Sequence, residues 1–500
     1  MKSERSIIVT LLIWSAVVRI VFFLISVNAT SDGPPRALYA WEWAQNPELV
    51  THGHWLPLQL YLSGALLMVW DNLWEAPRVV SLAFGVLAVC PLWRLMRLFF
   101  SVQVSFAASL LFIFLGLHIA QSIVSSSEAV FYFFAFWALF HFSKWWQNVA
   151  VKNLVWSGLF WFPAIWTKPE AWWLGASCGL FLFGRVVRKA FRDGFEMRGF
   201  VTPVVVFGAL VSLGPALWLL ACYLQEGDAL ATFHRTTGAI GESFFGRPWW
   251  YKASFWPLGL AMSLGPFVFL LGLYGVARSL RRGTNLLWLG FILAYAVPFW
   301  LMMLIGQSGI NIRHTMFVGV LLLPLAAYVF EDKLAVAPRK FLAVFLVAAV
   351  AWLGVVFALG ETRWGEFSQK FASISPRTKE RPHVTDVTRW LRQELNPTDR
   401  VLLDAFNDEE SSLQFHVRLN PKQARICWSD KTPPEQLLEP TPRFVVYAKG
   451  DKKRSGTMSK AMPLDAKAAS QEKFGARFTR RYENEVYVVF EVERLAATAP

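Results

Sequence analysis

Apolar stretches long enough to cross a bilayer follow one another from Ser6 to about Gly360, and this repetition limits the fold more than any other feature of the chain. A helix needs about 20 apolar residues to span the hydrocarbon core. Hydrophobic residues fill 55% of the 500 positions, above the roughly 45–50% of a typical soluble domain. The sequence therefore predicts an α-helical polytopic membrane bundle.

The distribution of positive charge predicts how this bundle is oriented. By the length criterion, about eleven segments are predicted spans. They lie at approximately 6–28, 76–98, 102–120, 127–143, 154–167, 170–186, 200–223, 255–277, 286–305, 316–331 and 341–360. Every second connection is basic and holds Arg94, Arg97, Lys144, Lys152, Arg185, Arg188, Lys189, Arg192, Arg198, Arg278, Arg281, Arg282, Lys333, Arg339 and Lys340. Because cytoplasmic loops carry an excess of Lys and Arg, we expect these connections in the cytoplasm and the others outside.

An odd number of spans and a cytoplasmic N-terminus put the tail from Glu361 onward on the extracytoplasmic side. The expected location is the inner (plasma) membrane, as a multi-pass protein with a periplasmic C-terminal domain. A further apolar run joins His54 to Trp70. Counted as a span, it would move every later basic loop to the wrong side, so we predict an interfacial helix in the first external loop. Residues 37–44 are a second candidate for that role.

The composition changes after Gly360, which predicts three parts: a transmembrane domain over 1–360, a polar linker over 361–382 and a small extracytoplasmic α/β domain over 383–500. About 120 residues suffice for a separate core. Its predicted elements are a helix at Val384–Leu395 and strands at Arg400–Asp404, Arg443–Ala448 and Glu485–Val492.

Several function classes find no support in the sequence. The net charge of +14 would suggest nucleic acid in a soluble chain, but here it lies largely in loops that set orientation, so no nucleic-acid partner is expected. The four cysteines form no CxxC pair or Cys/His cluster, which argues against disulfides and structural zinc. Walker, GxGxxG, HExxH and GxSxG patterns are missing. We predict no cofactor, and the use of a divalent metal stays open.

The first external loop contains the foremost catalytic candidate, Asp32. An acid after a span is often an interfacial or capping residue, but the Gly-Pro-Pro segment at 33–35 fixes the backbone beside it, as a positioned general base requires. Arg36 and His54 lie in the same loop and are candidate substrate-binding residues.

Two further predicted external connections carry charge. Glu128 follows Ser125–Ser127, either as the acidic first turn of a capped helix or as a carboxylate that binds sugar hydroxyls. Lys168 and Glu170 flank a proline between two apolar runs, either as an ion pair that closes a turn or, for the lysine, as a partner of a lipid phosphate.

Arginines on the external side run against the usual charge bias and are candidates for binding phosphate. Arg313, with His314 beside it, stands directly before a late span; interfacial snorkelling is the competing interpretation. Arg78 and Arg247 are weaker candidates of the same kind.

Taken in order, these residues resemble the GT-C superfamily of integral membrane glycosyltransferases, especially the bacterial branch related to protein O-mannosyltransferases and aminoarabinose transferases. The resemblance covers about residues 6–330. It rests on Asp32, Trp-Leu-Pro-Leu at 55–58, Arg78 in APRVVSLAFGVL, Ser127-Glu128, Thr167-Lys168-Pro169-Glu170 and Arg313. The motifs depart from the pattern at Gly33, where many relatives carry a second acid, and at Lys168, where many carry Arg; metal use and donor identity are therefore open.

The resemblance implies an enzyme that takes a hexose or pentose from a polyprenyl-phosphate carrier. The acceptor would be a hydroxyl of a glycan, lipid or protein on the external side, and the anomeric carbon would be inverted. Asp32 would be the base, and Lys168 and Arg313 would stabilise the departing lipid phosphate. The soluble tail would help to recognise the acceptor.

Two other classes compete with this interpretation. A lipid or solute transporter would place ionisable residues near the midplane and show repeated halves, and the sequence has no internal repeat. A non-catalytic envelope scaffold would leave the charged residues on one side unexplained. Convergence of Asp32, Glu128, Lys168 and Arg313 on one cavity would favour the enzyme.

Overall fold

The computed structural model describes residues 4–26, 32–50, 55–193, 197–240, 248–305, 311–361, 375, 381–405, 410–427, 429–450 and 456–495. The chain divides into two compact units. The first contains Met1–Ser26, Pro47–Leu62 and Arg78–Thr378, and the second contains Val27–Asn46, Ser63–Pro77 and Lys379–Pro500. The second unit thus includes two pieces of the first loop as well as the tail.

Up to residue 361, the described regular structure is helical, as the apolar runs predict. In chain order the helices are α1 (Glu4–Ile25), α2 (Gly33–Gln45), α3 (Leu58–Val69), α4 (Ala76–Leu87), α5 (Val89–Met96), α6 (Val102–Ile113), α7 (Gly116–Ser122), α8 (Ser127–Asn148), α9 (Val151–Ile165), α10 (Glu170–Asp193), α11 (Met197–Glu226), α12 (Ala231–Ile240), α13 (Trp249–Leu264), α14 (Pro266–Arg282), α15 (Leu286–Leu304), a 3₁₀ turn (Ile312–Thr315), α16 (Met316–Tyr328), α17 (Glu331–Val336) and α18 (Pro338–Glu361).

Within the described residues, five helices are long and apolar enough to cross a membrane: Glu4–Ile25, Ala76–Met96, Val201–Glu226, Leu286–Leu304 and Pro338–Leu359. The count becomes seven if each of two bent pairs is one span; α6 with α7 bends by 59° and α13 with α14 by 115°. The predicted count of about eleven is not confirmed. Several predicted spans form helices shorter than the roughly 20 residues that a crossing needs; α9 has 15 residues and α16 has 13.

The two segments predicted as interfacial helices are helical. The apolar run after His54 becomes α3, whose 12 residues are too few for an upright crossing. Residues 37–44 lie within α2, which begins with Pro34 and Pro35 in its first turn, where proline's fixed φ suits a helix start. Their position at a membrane surface stays a prediction.

Close helix packing forms the core of the first unit. Gly275 on α14 meets α16 so closely that a Cβ there would lie 2.1 Å from the backbone oxygen of Leu325. A layer of aromatic rings fills the interior beside α16, where Phe317 stacks on Phe136 at 5.7 Å and on Tyr295 at 4.8 Å. Such large buried rings contribute strongly to stability because each removes a wide apolar area from contact with polar surroundings.

The tail of the second unit forms a six-stranded mixed sheet in the order β2-β1-β3-β6-β5-β4. Its elements are α19 (Pro382–Glu394), β1 (Val401–Asp404), α20 (Glu410–Val417), β2 (Ala424–Cys427), α21 (Pro434–Leu437), β3 (Phe444–Ala448), α22 (Thr457–Ala461), β4 (Ser470–Lys473), β5 (Ala476–Glu483) and β6 (Tyr487–Arg494). β1 pairs in parallel with β2 and β3, and the β3–β6, β6–β5 and β5–β4 pairs are antiparallel. The predicted tail helix and the three predicted strands are confirmed, and every predicted end lies within two residues of the observed end.

Alternation along the strands gives the sheet two buried faces. Leu402 and Val445 belong to one apolar cluster with α22, whereas Leu403 and Val446 belong to another with α19 and α20. Both faces therefore have a core of their own.

The first-loop pieces of the second unit pack against the tail. Helix α2 lies on α20. The ring of Trp74 lies 4.7 Å from the ring of Phe415 and 5.0 Å from that of His416, and the guanidinium of Arg418 covers it at 4.4 Å. Lys422 donates a hydrogen bond to Gln45 at 3.3 Å. The packing of the tail therefore depends on residues of the first loop as well as on its own.

Candidate active site

Glu128 lies in the first unit, in the first turn of α8. The serines before it are a typical helix-start signal, and Ser126 is the N-cap residue, whose hydroxyl accepts from the amide N–H of Glu128 at 3.3 Å. The predicted capping is therefore confirmed. The Glu128 side chain is only 3% exposed, so its charge requires partners within the protein.

Lys168 supplies one of these partners. It stands in the turn between α9 and α10, where its amide N–H bonds to the carbonyl of Ala164 at 3.1 Å. Its ammonium lies 3.1 Å from Oε1 of Glu128 and 3.1 Å from Oε1 of Glu170. The turn-closing pair of Lys168 with Glu170 is confirmed, and the same lysine also reaches the earlier carboxylate.

Arg313 and His314 enter from the 3₁₀ turn before α16. The side chain of Asn311 accepts from the amide N–H of Arg313 at 3.1 Å and orders this turn. Nε of Arg313 lies 3.5 Å from Oε1 of Glu128, and Nδ1 of His314 lies 3.3 Å from Oε1 of Glu170. Two short connections and two helix starts thus bring five predicted site residues into one cluster.

The charges of this ion-pair cluster, Glu128, Lys168, Glu170, Arg313 and His314, nearly cancel. Two carboxylates face a lysine and an arginine, and the His314 ring lies beside the second carboxylate. Buried ions are tolerated when they are paired in this way. The side chains of Arg313 and His314 are 21% and 17% exposed, against 3% for Glu128 and 5% for Glu170. A ligand would therefore meet the arginine and the histidine first.

A set of neutral polar residues holds the Glu128 end of the cluster, and two of them, Gln121 and Ser81, were not singled out from the sequence. The hydroxyl of Ser126 lies within hydrogen-bonding distance of Glu128 Oε2 and, at 2.8 Å, of Gln121 Oε1; with one hydrogen it donates to one of them at a time. Ser81 and the backbone of Ser126 exchange two bonds of 3.0 Å. The run of three serines was the only sequence signal for this set.

The guanidinium of Arg78 is buried. It donates to the backbone oxygens of Ile123 at 2.8 Å and Phe23 at 3.0 Å and lies 4.2 Å from the Phe23 ring. These bonds tie α4 to the end of α7 and to α1. Its phosphate-binding role stays a prediction.

Asp32 and Arg36 belong to the second unit, at the start of α2. Asp32 occupies the N-cap position, yet its side chain makes no capping hydrogen bond to the described backbone of that helix. Plain capping therefore does not account for this acid. The Arg36 side chain is buried. His54 and Arg247, the remaining candidates, lie outside the described residues. Among the residues that are described, no group of three or more His, Cys, Asp or Glu side chains is placed to hold a metal ion.

No protein-family model and no curated protein matches the sequence. Solved structures do match. ArnT from Cupriavidus metallidurans bound to undecaprenyl phosphate has 13% identity and a TM-score of 0.57, with 98% of each chain covered. Its apo form has 14% identity and a TM-score of 0.56, with 96% of this chain and 97% of that chain covered. An oligosaccharyltransferase from Archaeoglobus fulgidus has 13% identity and a TM-score of 0.49, with 89% of this chain and 69% of that chain covered.

The two ArnT structures have the fold of the GT-C glycosyltransferases, so the resemblance expected from the sequence is confirmed for the fold. At this level of identity, the likeness to ArnT concerns the fold and extends over both the helical part and the tail. Together with the apolar helices, it indicates a multi-pass membrane protein.

Proposed function

We propose that the chain is a membrane glycosyltransferase that moves a sugar from a polyprenyl-phosphate carrier to an acceptor hydroxyl. The observation that carries the proposal is the ion-pair cluster, in which the buried Lys168 and the partly exposed Arg313 are both held on Glu128. The fold is shared with an ArnT structure that is bound to undecaprenyl phosphate, which makes a lipid phosphate the leading ligand for these cations.

Cations held in place by carboxylates suit a phosphate leaving group. A guanidinium offers two parallel donors to phosphate oxygens, and an ammonium adds a compact charge. Arg313 is the more exposed of the two and would meet the phosphate first. Because the carboxylates already fix both cations, little reorganisation is needed when negative charge develops on the phosphate oxygen.

The reaction then needs a base, and we assign this role to Asp32. Its carboxylate would take the proton of the acceptor hydroxyl as the acceptor oxygen forms a bond to the anomeric carbon. The bond from that carbon to the phosphate oxygen breaks, and its electron pair leaves with the polyprenyl phosphate. Attack from the face opposite the phosphate inverts the anomeric carbon.

The setting of the reaction also forms part of the proposal. The basic connections orient the site to the extracytoplasmic side of the inner membrane, where a glycan, lipid or protein acceptor would be used. We assign acceptor recognition to the second unit, because α2, which begins directly after Asp32, packs on α20 of the tail.

The direct test is transfer from radiolabelled polyprenyl-phosphate hexoses and pentoses by purified full-length protein, with extracted envelope glycans, lipids and proteins as acceptors. Asp32→Asn should lower the transfer rate by about 10²–10⁴-fold, the usual contribution of a general base. The matched control is Asp71→Asn, which changes an exposed acid in the second unit.

Two results would count against the proposal. If wild type moves no sugar from any carrier to any acceptor fraction, the glycosyltransferase assignment fails. If wild type transfers sugar and Asp32→Asn transfers it equally fast, the enzyme class stands and the base assignment is wrong.

A further inference from the structure

A cavity of about 550 Å³ lies in the first unit, beside the C-terminal end of α14, and its lining residues are separate from those of the ion-pair cluster. Its walls include four cations, Arg278, Arg281, Arg282 and Lys333, and one carboxylate, Asp332. The lining thus has a surplus of three positive charges, in contrast to the balanced charges of the ion-pair cluster.

Two of these cations belong to the framework of the cavity. Arg278 donates to the backbone oxygens of Tyr328 at 3.1 Å and Val329 at 2.7 Å, and its guanidinium lies 4.8 Å from the Tyr328 ring. Arg282 reaches the hydroxyl of the same tyrosine at 3.5 Å. These bonds join α14 to the end of α16 and fix the shape of the wall.

The other two cations, Arg281 and Lys333, have N–H donors that a ligand could use. Within the part of the chain that the structure describes, the guanidinium of Arg281 makes no hydrogen bond or ion pair, and the ammonium of Lys333 has only the Phe341 ring at 6.0 Å. Both side chains lie on exposed positions. Donors in such an arrangement match the oxygens of a phosphate group.

An apolar stripe leads along α14 to the cavity. Phe267, Leu270 and Tyr274 are 54%, 63% and 56% exposed. They are spaced by three and four residues and continue at the same spacing to Arg278 and Arg281, so all five lie on one helix face. A surface that is apolar over two turns and cationic at its end matches an amphiphile with hydrocarbon chains and an anionic head group.

We propose that this cavity binds the phosphodiester head group of an anionic glycerophospholipid, whose acyl chains lie along the exposed stripe of α14. The surplus of positive charge disfavours a zwitterionic head group, whose own cation would be repelled. Free phosphate would lose the contacts along the stripe. The proposal is independent of the reaction assigned to the ion-pair cluster.

Native mass spectrometry of the full-length protein in detergent tests this binding. Phosphatidylglycerol, phosphatidylcholine with the same acyl chains, inorganic phosphate and undecaprenyl phosphate are the probes. The variant is Arg281→Gln/Lys333→Gln. The control is Arg188→Gln/Lys189→Gln, which removes two exposed cations at the end of α10, outside the cavity.

Wild type should bind phosphatidylglycerol at least several-fold more tightly than phosphatidylcholine. The cavity variant should lose this affinity by roughly 10–30-fold, as expected for two cations that each attract an anionic lipid, with an unchanged unfolding temperature. The control variant should bind like wild type.

Equal losses in both variants would show that general surface charge is responsible and would overturn the proposal. Equal binding of the two phospholipids, or binding of inorganic phosphate alone, would do the same. If an equal amount of undecaprenyl phosphate displaces phosphatidylglycerol, the cavity prefers the carrier lipid. That result would also contradict the assignment.

Discussion

The ammonium of Lys168 lies 3.1 Å from the carboxylate of Glu128, although 40 positions separate the two residues in the chain. Their side chains are 10% and 3% exposed. At such burial, neither charge is stabilised by water to any extent, and each depends on the other. The pair therefore links the turn before α10 to the start of α8, and its removal should affect stability as well as activity.

Replacing the lysine by an uncharged residue tests both effects. Lys168→Met removes a positive charge that balances the buried carboxylates of Glu128 and Glu170. We therefore expect the free energy of unfolding to fall by about 3–5 kcal/mol, as for other broken buried pairs. Sugar transfer should fall by at least about 10²-fold if the ammonium stabilises the leaving phosphate. Denaturant unfolding and initial transfer rates measure the two quantities.

The double variant Lys168→Met/Glu128→Gln separates stability from catalysis. Removing both charges should recover part of the unfolding free energy, because Glu170 still lacks its lysine partner, while transfer stays low. Recovery of transfer together with stability would mean that Lys168 has a structural role only.

The geometry of Arg313 predicts an effect on donor binding. Arg313→Lys keeps the charge but loses the forked donors, so KM for the polyprenyl-phosphate sugar should rise roughly tenfold or more, while the fold is kept. Steady-state kinetics with varied donor provide the measurement. Arg235→Lys is the control, since Arg235 is paired with Glu226 at 2.7 Å and not with a carboxylate of the ion-pair cluster. An equal change of KM in both variants would contradict a specific role.

Trp74 should stabilise the tail although it lies in the first loop. Trp74→Ala removes its contacts with Phe415, His416 and Arg418, and the second unit should lose about 3–5 kcal/mol, the usual cost of such a truncation. Hydrogen-exchange mass spectrometry should show faster exchange in α20 and β1. Trp70→Ala, at a position that is 39% exposed, should change exchange little, and unchanged exchange in the Trp74 variant would refute the coupling.

Acid should weaken the second unit through Asp399. Burial opposes its ionisation, but hydrogen bonds from the Asn396 amide and from Arg443 outweigh this and hold the pKa of the Asp399 carboxyl below its ordinary value. A carboxyl with a lowered pKa in the folded state stabilises the fold above its unfolded pKa of about 3.9 and loses this contribution as the pH falls through the folded value.

Asp399→Asn should therefore flatten the loss of tail stability below about pH 4. Unfolding temperatures measured from pH 7 to pH 3 provide the comparison. The control is Asp386→Asn, which changes an acid on α19 whose side chain is 47% exposed. A profile for Asp399→Asn that parallels wild type would exclude this carboxyl as the source of the acid sensitivity.

Much of the ion-pair cluster was predictable because each of its members stands at the edge of an apolar run. Charge placed there must find a partner or a ligand, so Glu128, Lys168 and Arg313 are conspicuous in the sequence. The alternation of basic connections grouped them on one side. Their contacts depend on helix packing, which no local pattern reports.

Neutral polar residues were harder to predict. Gln121 and Ser81 lie within apolar stretches, where a single polar residue carries no signal of a site. Both nevertheless bond to Ser126 beside Glu128. The predicted count of about eleven spans is not confirmed, and hydropathy is also a poor guide to bends. Hydropathy measures how apolar a stretch is, whereas the 115° bend between α13 and α14 depends on Gly265 at φ +85°, a conformation that few other residues adopt.

The discontinuous second unit has a consequence for protein engineering. A tail that begins at residue 383 looks like a domain that could be exchanged as one segment. However, segments 27–46 and 63–77 belong to the same compact unit as the tail. Truncation after Gly360 would strip α2 of its neighbour α20, so lost activity in that variant would not identify the tail as an acceptor site. A chimera with a protein of the same fold should transplant all three segments together, because they belong to one compact unit.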